Sequence, residues 1–246
     1  MINSLRGFVT IAVCSLFTVG VQAQVPDEDS AAKYLLPETM LLITQSSQGQ
    51  SQTSIMWIGA GHYRLQSLQN GQQGVEIFRD DTVYLLNFGE RTYTSLNHER
   101  VVAAAEQTRK LLPNAARPTI QRELRETQRL VMFQSKWPCQ FWEVLEDGVL
   151  TKEMCVVPLK LLPNRNSVRE TIERYNAVFK DTDTNDASLP WSDFEATEGL
   201  PLLVRNFVDG KLHAETTVTS LQPNQPPLPK RYELPPGMTE ITGNEQ

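Results

Sequence analysis

The sequence predicts a mainly β protein of the α+β class, in which two or three inserted helices cover an antiparallel, unclosed half-barrel. Three observations lead to this prediction: short segments with period-two apolar patterns, turn residues between consecutive segments, and few segments with helical periodicity. Successive strands joined by turns form an antiparallel meander, because parallel strands need long crossover connections. A curved sheet must bury its apolar concave face, and the helices are the elements available to cover it.

The first 23 residues have the organisation of a cleavable secretory signal peptide. Arg6 supplies the basic start, residues 7–20 are mostly apolar, and Val21 and Ala23 occupy the two positions that signal peptidase recognises. The apolar run is shorter than the roughly 20 residues of a transmembrane helix. We therefore expect export to the periplasm and a mature chain that is not transmembrane; the alternative is an uncleaved N-terminal anchor.

The composition is acidic, with a formal net charge of −6 for the whole chain. Signal cleavage would remove one basic residue and no acidic residue, and would make the mature chain more negative still. An acidic chain is poorly suited to general electrostatic binding of nucleic-acid phosphates or anionic lipid headgroups. We therefore predict no nucleic-acid partner.

Six strands are predicted after a loose lead-in at residues 24–38. Each segment is rich in β-branched, aliphatic or aromatic residues and ends at residues that favour turns. Asp80-Asp81, between the fourth and fifth segments, predicts a tight hairpin. The six segments are residues 40–44, 53–58, 62–68, 74–79, 82–88 and 92–96. They begin the single domain that we assign to residues 39–246.

A helical insertion is predicted at about residues 97–129. Asn97 is a suitable N-cap, an apolar face follows it, and Pro113 ends the first helix. Residues 115–129 are charged and fit either a helix or a strand. The insertion would therefore separate the six early strands from the strands that follow.

A second helix is predicted in the later half of the chain. Ser167 and Glu170 have the spacing of a capping box, in which each side chain binds a free backbone N–H of the other. The apolar face of this helix comprises Val168, Ile172, Tyr175 and Phe179. The sequence Asp209-Gly210 then predicts a hairpin, and a final edge strand is expected at residues 231–234.

Cys139 and Cys155 remain after signal cleavage, and an even pair in an exported chain favours a disulfide. They lie in two strand-like segments around the predicted turn 146–148. A three-residue loop would pair Leu145 with Val149 and would place the two cysteines directly opposite each other, within reach of a bridge. The alternatives are two free thiols or a redox-active pair, but the spacing is not that of Cys-x-x-Cys.

No arrangement of residues that is typical of catalysis or metal binding is present in the sequence. His62, His98 and His213 have no second ligand at metal-binding spacing, and His62 and His213 are expected on strand surfaces. The acidic segment 181–186 lacks the glycine and the final glutamate of a standard calcium loop. We therefore predict no catalytic residue, no metal and no cofactor, and we expect that the protein is not an enzyme.

Several segments together resemble a known fold: residues 53–58, 80–94, 137–144, 200–205, 216–221 and 233–237. Their order resembles that of the LolA/LolB-like periplasmic lipoprotein carriers and, more closely, of uncharacterised exported domains that share the unclosed half-barrel. The resemblance covers roughly residues 40–240. It implies an apolar concave surface under a helical lid, which in the carriers holds the acyl chains of a lipoprotein. The family has no sharp active-site motif, so no functional residue is transferred from it.

Trp57, Tyr63, Tyr84 and Trp142 are the candidate ligand-binding residues, because aromatic side chains suit the lining of an apolar cavity; the alternative is that they fill the core. Our first hypothesis is an exported, non-enzymatic binding or carrier domain for a lipid, an acyl chain or a lipidated protein. The second is an interaction or sensing module that docks onto another envelope protein, with its cavity filled by its own side chains.

Overall fold

One curved sheet, antiparallel except at one edge, forms most of the protein. The computed structural model describes residues 35–67, 74–111, 120–180, 191 and 193–241. The predicted signal peptide, most of the lead-in and the acidic segment 181–186 lie outside the described residues. The strands are β1 (Glu38–Ser47), β2 (Gln50–Ile58), β3 (Tyr63–Ser67), β4 (Gly74–Arg79), β5 (Thr82–Asn87), β6 (Thr92–Leu96), β7 (Arg122–Phe133), β8 (Trp137–Glu146), β9 (Val149–Pro158), β10 (Gly199–Val208), β11 (Lys211–Gln225) and β12 (Thr239–Glu240).

The strand order shows two meanders joined in the middle of the sheet. Strands β1 to β6 follow one another outward on one side, and β11 to β7 do so on the other. Between the meanders, β1 pairs with β11 in an antiparallel ladder. Strands β12 and β7 are the two ends of this order. Among the described residues the sheet is therefore an unclosed half-barrel, and the predicted fold class is confirmed.

Two tight turns form where the sequence predicts them. Asp80 and Asp81 join β4 to β5 with φ values of +50° and +54°, and Asp209 and Gly210 join β10 to β11 with φ values of +51° and +71°. Two consecutive residues with positive φ are typical of the type I′ turn, whose twist matches that of the flanking strands. Asp and Gly tolerate this conformation better than most residues do, so the local sequence determines both hairpins.

The predicted disulfide is present, with Cα atoms of Cys139 and Cys155 5.4 Å apart. The predicted register of the hairpin is wrong, because the turn contains two residues rather than three and Glu146 pairs with Val149. A bulge then shifts the ladder, and Cys155 lies opposite Phe141. The two cysteines are therefore diagonal neighbours, which still brings them within bridging distance.

The first part of the predicted helical insertion is a helix and its last part is a strand. Helix α1 (His98–Leu111) begins after Asn97, whose Oδ1 accepts a hydrogen bond of 3.0 Å from the backbone N–H of Arg100, as expected of an N-cap. Residues 122–129 belong to β7, and Arg122–Glu126 pair with β8. The predicted insertion is therefore not helical over residues 122–129. Of the two alternatives for this segment, the strand forms because β8, the next strand in sequence, pairs with it.

Helix α2 (Arg165–Val178) begins two residues before the predicted capping box. Asn164 is its N-cap residue, and the side chain of Asn164 instead accepts a 2.8 Å hydrogen bond from the hydroxyl of Thr39 in β1. Ser167 is therefore a buried residue inside the helix and not its cap. The predicted apolar face is correct, since Val168, Ile172 and Tyr175 are buried.

The C-terminal segment closes one edge of the sheet. A short helix, α3 (Phe194–Thr197), precedes β10, and β11 is followed by a 3-10 helix (Pro229–Tyr232) where a strand at 231–234 was predicted. The buried carboxylate of Glu38 explains this difference, because it pairs with Arg231 and accepts a 3.1 Å hydrogen bond from the N–H of Leu228. The chain then adds β12 in parallel beside β6.

No helix within the described ranges is both long enough and apolar enough to span a membrane.

Replacing both cysteines by serine is expected to lower the free energy of unfolding by about 3 kcal/mol, because the bridge closes a loop of this length in the unfolded chain. Urea denaturation of the native and variant proteins measures the difference. A reductant should destabilise the native protein and leave the double variant unchanged. An equal effect of the reductant on both proteins would contradict the assignment.

Candidate functional site

The interior between the central strands and Trp191 is almost full. It contains a cavity of about 30 Å³, lined mainly by apolar side chains of β1, β2, β10 and β11, among them Leu41, Met56, Leu202 and Val218. This is room for one or two water molecules. Pockets that bind small-molecule ligands have volumes of roughly 300–1,000 Å³. This cavity, between the central strands and Trp191, is therefore about ten times smaller than a pocket that binds a small-molecule ligand.

A cluster of aromatic rings lies in the main hydrophobic core, where α2 meets β3 and β4. We call it the aromatic plug, and it consists of Tyr63, Phe78, Tyr175, Phe179 and Trp191. The ring centroid of Tyr63 is 5.6 Å from that of Phe78 and 5.5 Å from those of Tyr175 and Trp191. Such distances are typical of stacked and edge-to-face contacts in protein cores. The plug therefore joins α2 to the early strands.

The two tyrosine hydroxyls of the plug, those of Tyr63 and Tyr175, form hydrogen bonds inside the protein. The hydroxyl of Tyr63 donates a hydrogen bond to Glu76 Oε1. Burial and the nearby charge of Glu76 raise the pKa of Tyr63, and the same two causes raise the pKa of Tyr175. Both phenols are therefore neutral at physiological pH. Their position and protonation state suit packing rather than proton transfer.

The candidate residues Tyr63 and Trp57 lie in different surroundings. Tyr63 is fully buried at the centre of the plug, as in the alternative interpretation that the aromatics fill the core. Trp57 is half-buried and lies under Arg231, whose guanidinium carbon is 4.5 Å from the ring centroid. This cation–π contact helps to hold the C-terminal segment against the sheet.

The other two candidates belong to separate clusters. Tyr84 is half-buried, lies 5.9 Å from the ring of Tyr93 and packs with the smaller core cluster that includes Tyr232. Trp142 packs against a third cluster, which contains Val144. The structure therefore does not gather the four predicted ligand-binding residues into one site. Their role as ligand contacts stays a prediction.

The predicted surface position of His62 is wrong. His62 is buried, with its ring centroid 4.2 Å from that of Tyr232, and its side chain lies against Gly59, where a Cβ would collide with the imidazole. The alternating pattern of β3 gave no sign of this contact, because Tyr232 is distant in sequence. His213 is exposed near the end of the β10–β11 hairpin, as predicted.

Asp193 is a buried charged residue that the sequence did not identify. Its carboxylate pairs with Arg122 of β7 and lies 3.2 Å from Nζ of Lys152 in β9. Burial acts to raise the pKa of Asp193, but the two cations outweigh it and hold this pKa below its ordinary value. The carboxylate is therefore ionised, and it ties α3 to the β7–β9 end of the sheet.

The described residues contain no group of three or more His, Cys, Asp or Glu side chains that could hold a metal ion.

Within the part of the chain that the structure describes, β7 has no paired strand on its outer side, and this edge is partly apolar. Leu130, Val131 and Met132 are consecutive residues with exposed fractions of 59%, 41% and 56%. Exposed edge strands usually carry charges, prolines or bulges that oppose pairing with other chains. The first half of β7 carries charges, and a bulge follows Glu126, but the stretch from Leu130 to Phe133 has none of these features.

Comparisons with known proteins assign no family to the chain. No family model and no curated protein matches the sequence. Among solved structures, it is similar to an uncharacterized conserved protein from Thermus thermophilus, with a TM-score of 0.48 and 10% identity over 87% of this chain and 95% of that chain. It is also similar to a chain in a structure of the Pseudomonas aeruginosa MucA/MucB complex, with a TM-score of 0.45 and 10% identity over 84% of this chain. The match spans 58% of that chain of the complex, and 65% of MucB in a second crystal structure.

Asp193→Asn is expected to lower the free energy of unfolding at pH 7 by about 2 kcal/mol, because the buried carboxylate loses its charge-assisted contacts with Arg122 and Lys152. The lowered pKa of Asp193 stabilises the fold above the pKa of an unfolded Asp, about 3.9, and this stabilisation is lost as the pH falls through the folded-state pKa. The difference between the two proteins should therefore shrink below about pH 4.

Urea denaturation at pH 7 and pH 3 measures both quantities. Asp209→Asn, in the exposed β10–β11 turn, is the matched control and should change stability little at either pH. An undiminished difference for Asp193→Asn at pH 3 would show that the ion pairs are not its cause.

Proposed function

We propose that this chain is an exported, non-enzymatic interaction module that docks another protein of the cell envelope. The observation that carries the proposal is the filled interior of the half-barrel, where the aromatic plug and its neighbours leave about 30 Å³. A carrier of lipids needs an accessible apolar cavity, because its affinity comes from the removal of CH₂ groups from water. An interaction module needs only its outer surface.

Opening the interior for an acyl chain would be costly in free energy. Tyr63 contacts rings from β4 and α2 as well as Trp191, and these contacts would have to separate together. Removing one large aromatic side chain from a protein core costs about 3–5 kcal/mol. The first hypothesis from the sequence, a carrier of lipids or acyl chains, is therefore less well supported than the second.

Export is supported by two independent features. Residues 1–23 have the sequence of a signal peptide, and the Cys139–Cys155 bridge is of a kind that persists in oxidising compartments such as the periplasm. Exposed aliphatic side chains on an open strand edge support a role in protein contacts. We therefore place the proposed partner among proteins of the envelope.

A fluorescent fatty acid is expected to show no binding to the purified protein at micromolar concentration, because the cavity between the central strands and Trp191 is too small to hold it. Native mass spectrometry of protein isolated from the periplasm should likewise show the unliganded mass. A co-purified lipid that dissociates only on unfolding would overturn the proposal and restore the carrier hypothesis.

A photocrosslinking amino acid at Met132 is expected to give one discrete protein adduct in living cells, because this side chain lies on the open edge. The matched control is Leu85, which is similarly exposed but belongs to the paired strand β5. Adducts of equal yield from both positions, or none from Met132, would contradict docking at the open edge.

A further inference from the structure

The two ends of the strand order differ: β12 pairs with β6 at one end, and no described strand pairs with the outer side of β7 at the other. At β6 the C-terminal segment returns: the backbone N–H of Thr239 donates a hydrogen bond of 3.0 Å to the carbonyl of Arg91 in the preceding turn, and that of Ile241 donates one of 2.8 Å to the carbonyl of Tyr93 in β6. Arg100 adds an ion pair of 2.6 Å to Glu240. At β7, the opposite end of the strand order, no further described strand is paired.

The first five residues of β7 have a charge pattern that complements itself in the reverse direction. They read Arg122, Glu123, Leu124, Arg125 and Glu126. When this sequence is laid antiparallel on a copy of itself about Leu124, each outer arginine faces a glutamate and each inner glutamate faces an arginine. Opposite charges at directly facing positions stabilise an antiparallel strand pair, whereas like charges oppose it.

From this pattern we propose that β7 pairs antiparallel with β7 of a second copy of the chain, around a two-fold axis at Leu124. Arg122 of each copy then faces Glu126 of the other, and Glu123 faces Arg125. A two-fold axis makes such an interface self-complementary, so that one surface serves both copies and the assembly closes at two. This inference goes beyond the proposed docking of another protein, and it concerns the charged half of the edge.

Within the described part of each copy, the two arginines of this stretch already have carboxylate partners, whereas Glu123 and Glu126 are not ion-paired. Arg125 lies 2.5 Å from Glu143 of β8, and Arg122 is held by Asp193, so the positions of both guanidinium groups are fixed by their own chain. Among the described residues, Glu123 and Glu126 are exposed and form no ion pair of their own. Pairing of two copies brings each of these carboxylates opposite an arginine.

The extent of the proposed ladder is set by the bulge in β7. Between Glu126 and Leu130 three residues of β7 face a single residue of β8, and Gln140 and Phe141 hold this bulge through hydrogen bonds with Thr127. A bulge interrupts regular pairing and increases the local twist. The ladder between copies therefore covers Arg122–Glu126 and excludes the apolar stretch that begins at Leu130.

Sedimentation velocity of the exported protein over a concentration series tests the dimer. Glu123→Arg places like charges opposite Arg125 at two symmetric positions and should raise the dimer dissociation constant by about tenfold or more. Adding Arg125→Glu to the same chain exchanges the two charges and should restore dimerisation. Glu90→Arg, in the exposed β5–β6 turn, makes the same charge change away from the edge and should have no effect.

Cysteine crosslinking tests the register of the pair. Leu124→Cys should form a disulfide with its own copy under mild oxidation, because directly opposed residues have Cα atoms about 4.5–5.5 Å apart. Gln128→Cys lies on the same strand but beyond the proposed ladder. The two substituted side chains of a dimer would be on opposite sides of the two-fold axis, too far apart to crosslink. Circular dichroism confirms that each variant is folded.

A native protein that is monomeric throughout the series would overturn the proposal. So would a dimer that persists in Glu123→Arg, or stronger crosslinking of Gln128→Cys than of Leu124→Cys. None of these results would affect the proposed docking of an envelope protein, which is tested separately at Met132.

Discussion

The burial of the apolar face of α2 against the inner side of the sheet is the contact on which the rest of the structure depends. A strongly curved sheet has an inner surface that must be covered, and here Val168, Ile172 and Tyr175 cover it from the helix. The aromatic plug extends this contact to β3 and β4. Because these side chains meet one another, they belong to the main hydrophobic core of the protein.

Features determined by neighbouring residues were predictable from the sequence. The turns at Asp80 and Asp209, the cap at Asn97 and the buried face of α2 all depend on residue types within a few positions of each other. The hairpin of the disulfide shows the limit of this reasoning. The turn is one residue shorter than predicted and a bulge follows it, so the register differs from the prediction, although the bridge itself was predicted correctly.

Features determined by distant residues were missed for a common physical reason. The burial of His62 depends on Tyr232, and the ionisation of Asp193 depends on Arg122 and Lys152. Among the candidate ligand-binding residues, the aromatic character of the side chains was informative about burial. Aromatic character alone does not predict which core cluster a ring joins, because the cluster depends on which strands are neighbours in the sheet.

The pairing of β1 with β11 has a consequence for how the chain matures. Leu41 pairs with Leu221, so the central ladder cannot form until the chain has been synthesised beyond Leu221. Contacts so distant in sequence slow folding, since a long loop must close before they stabilise anything. Until then both meanders expose unpaired inner strands to their surroundings, and such intermediates aggregate readily. The topology therefore makes the ladder between β1 and β11 a late step in folding.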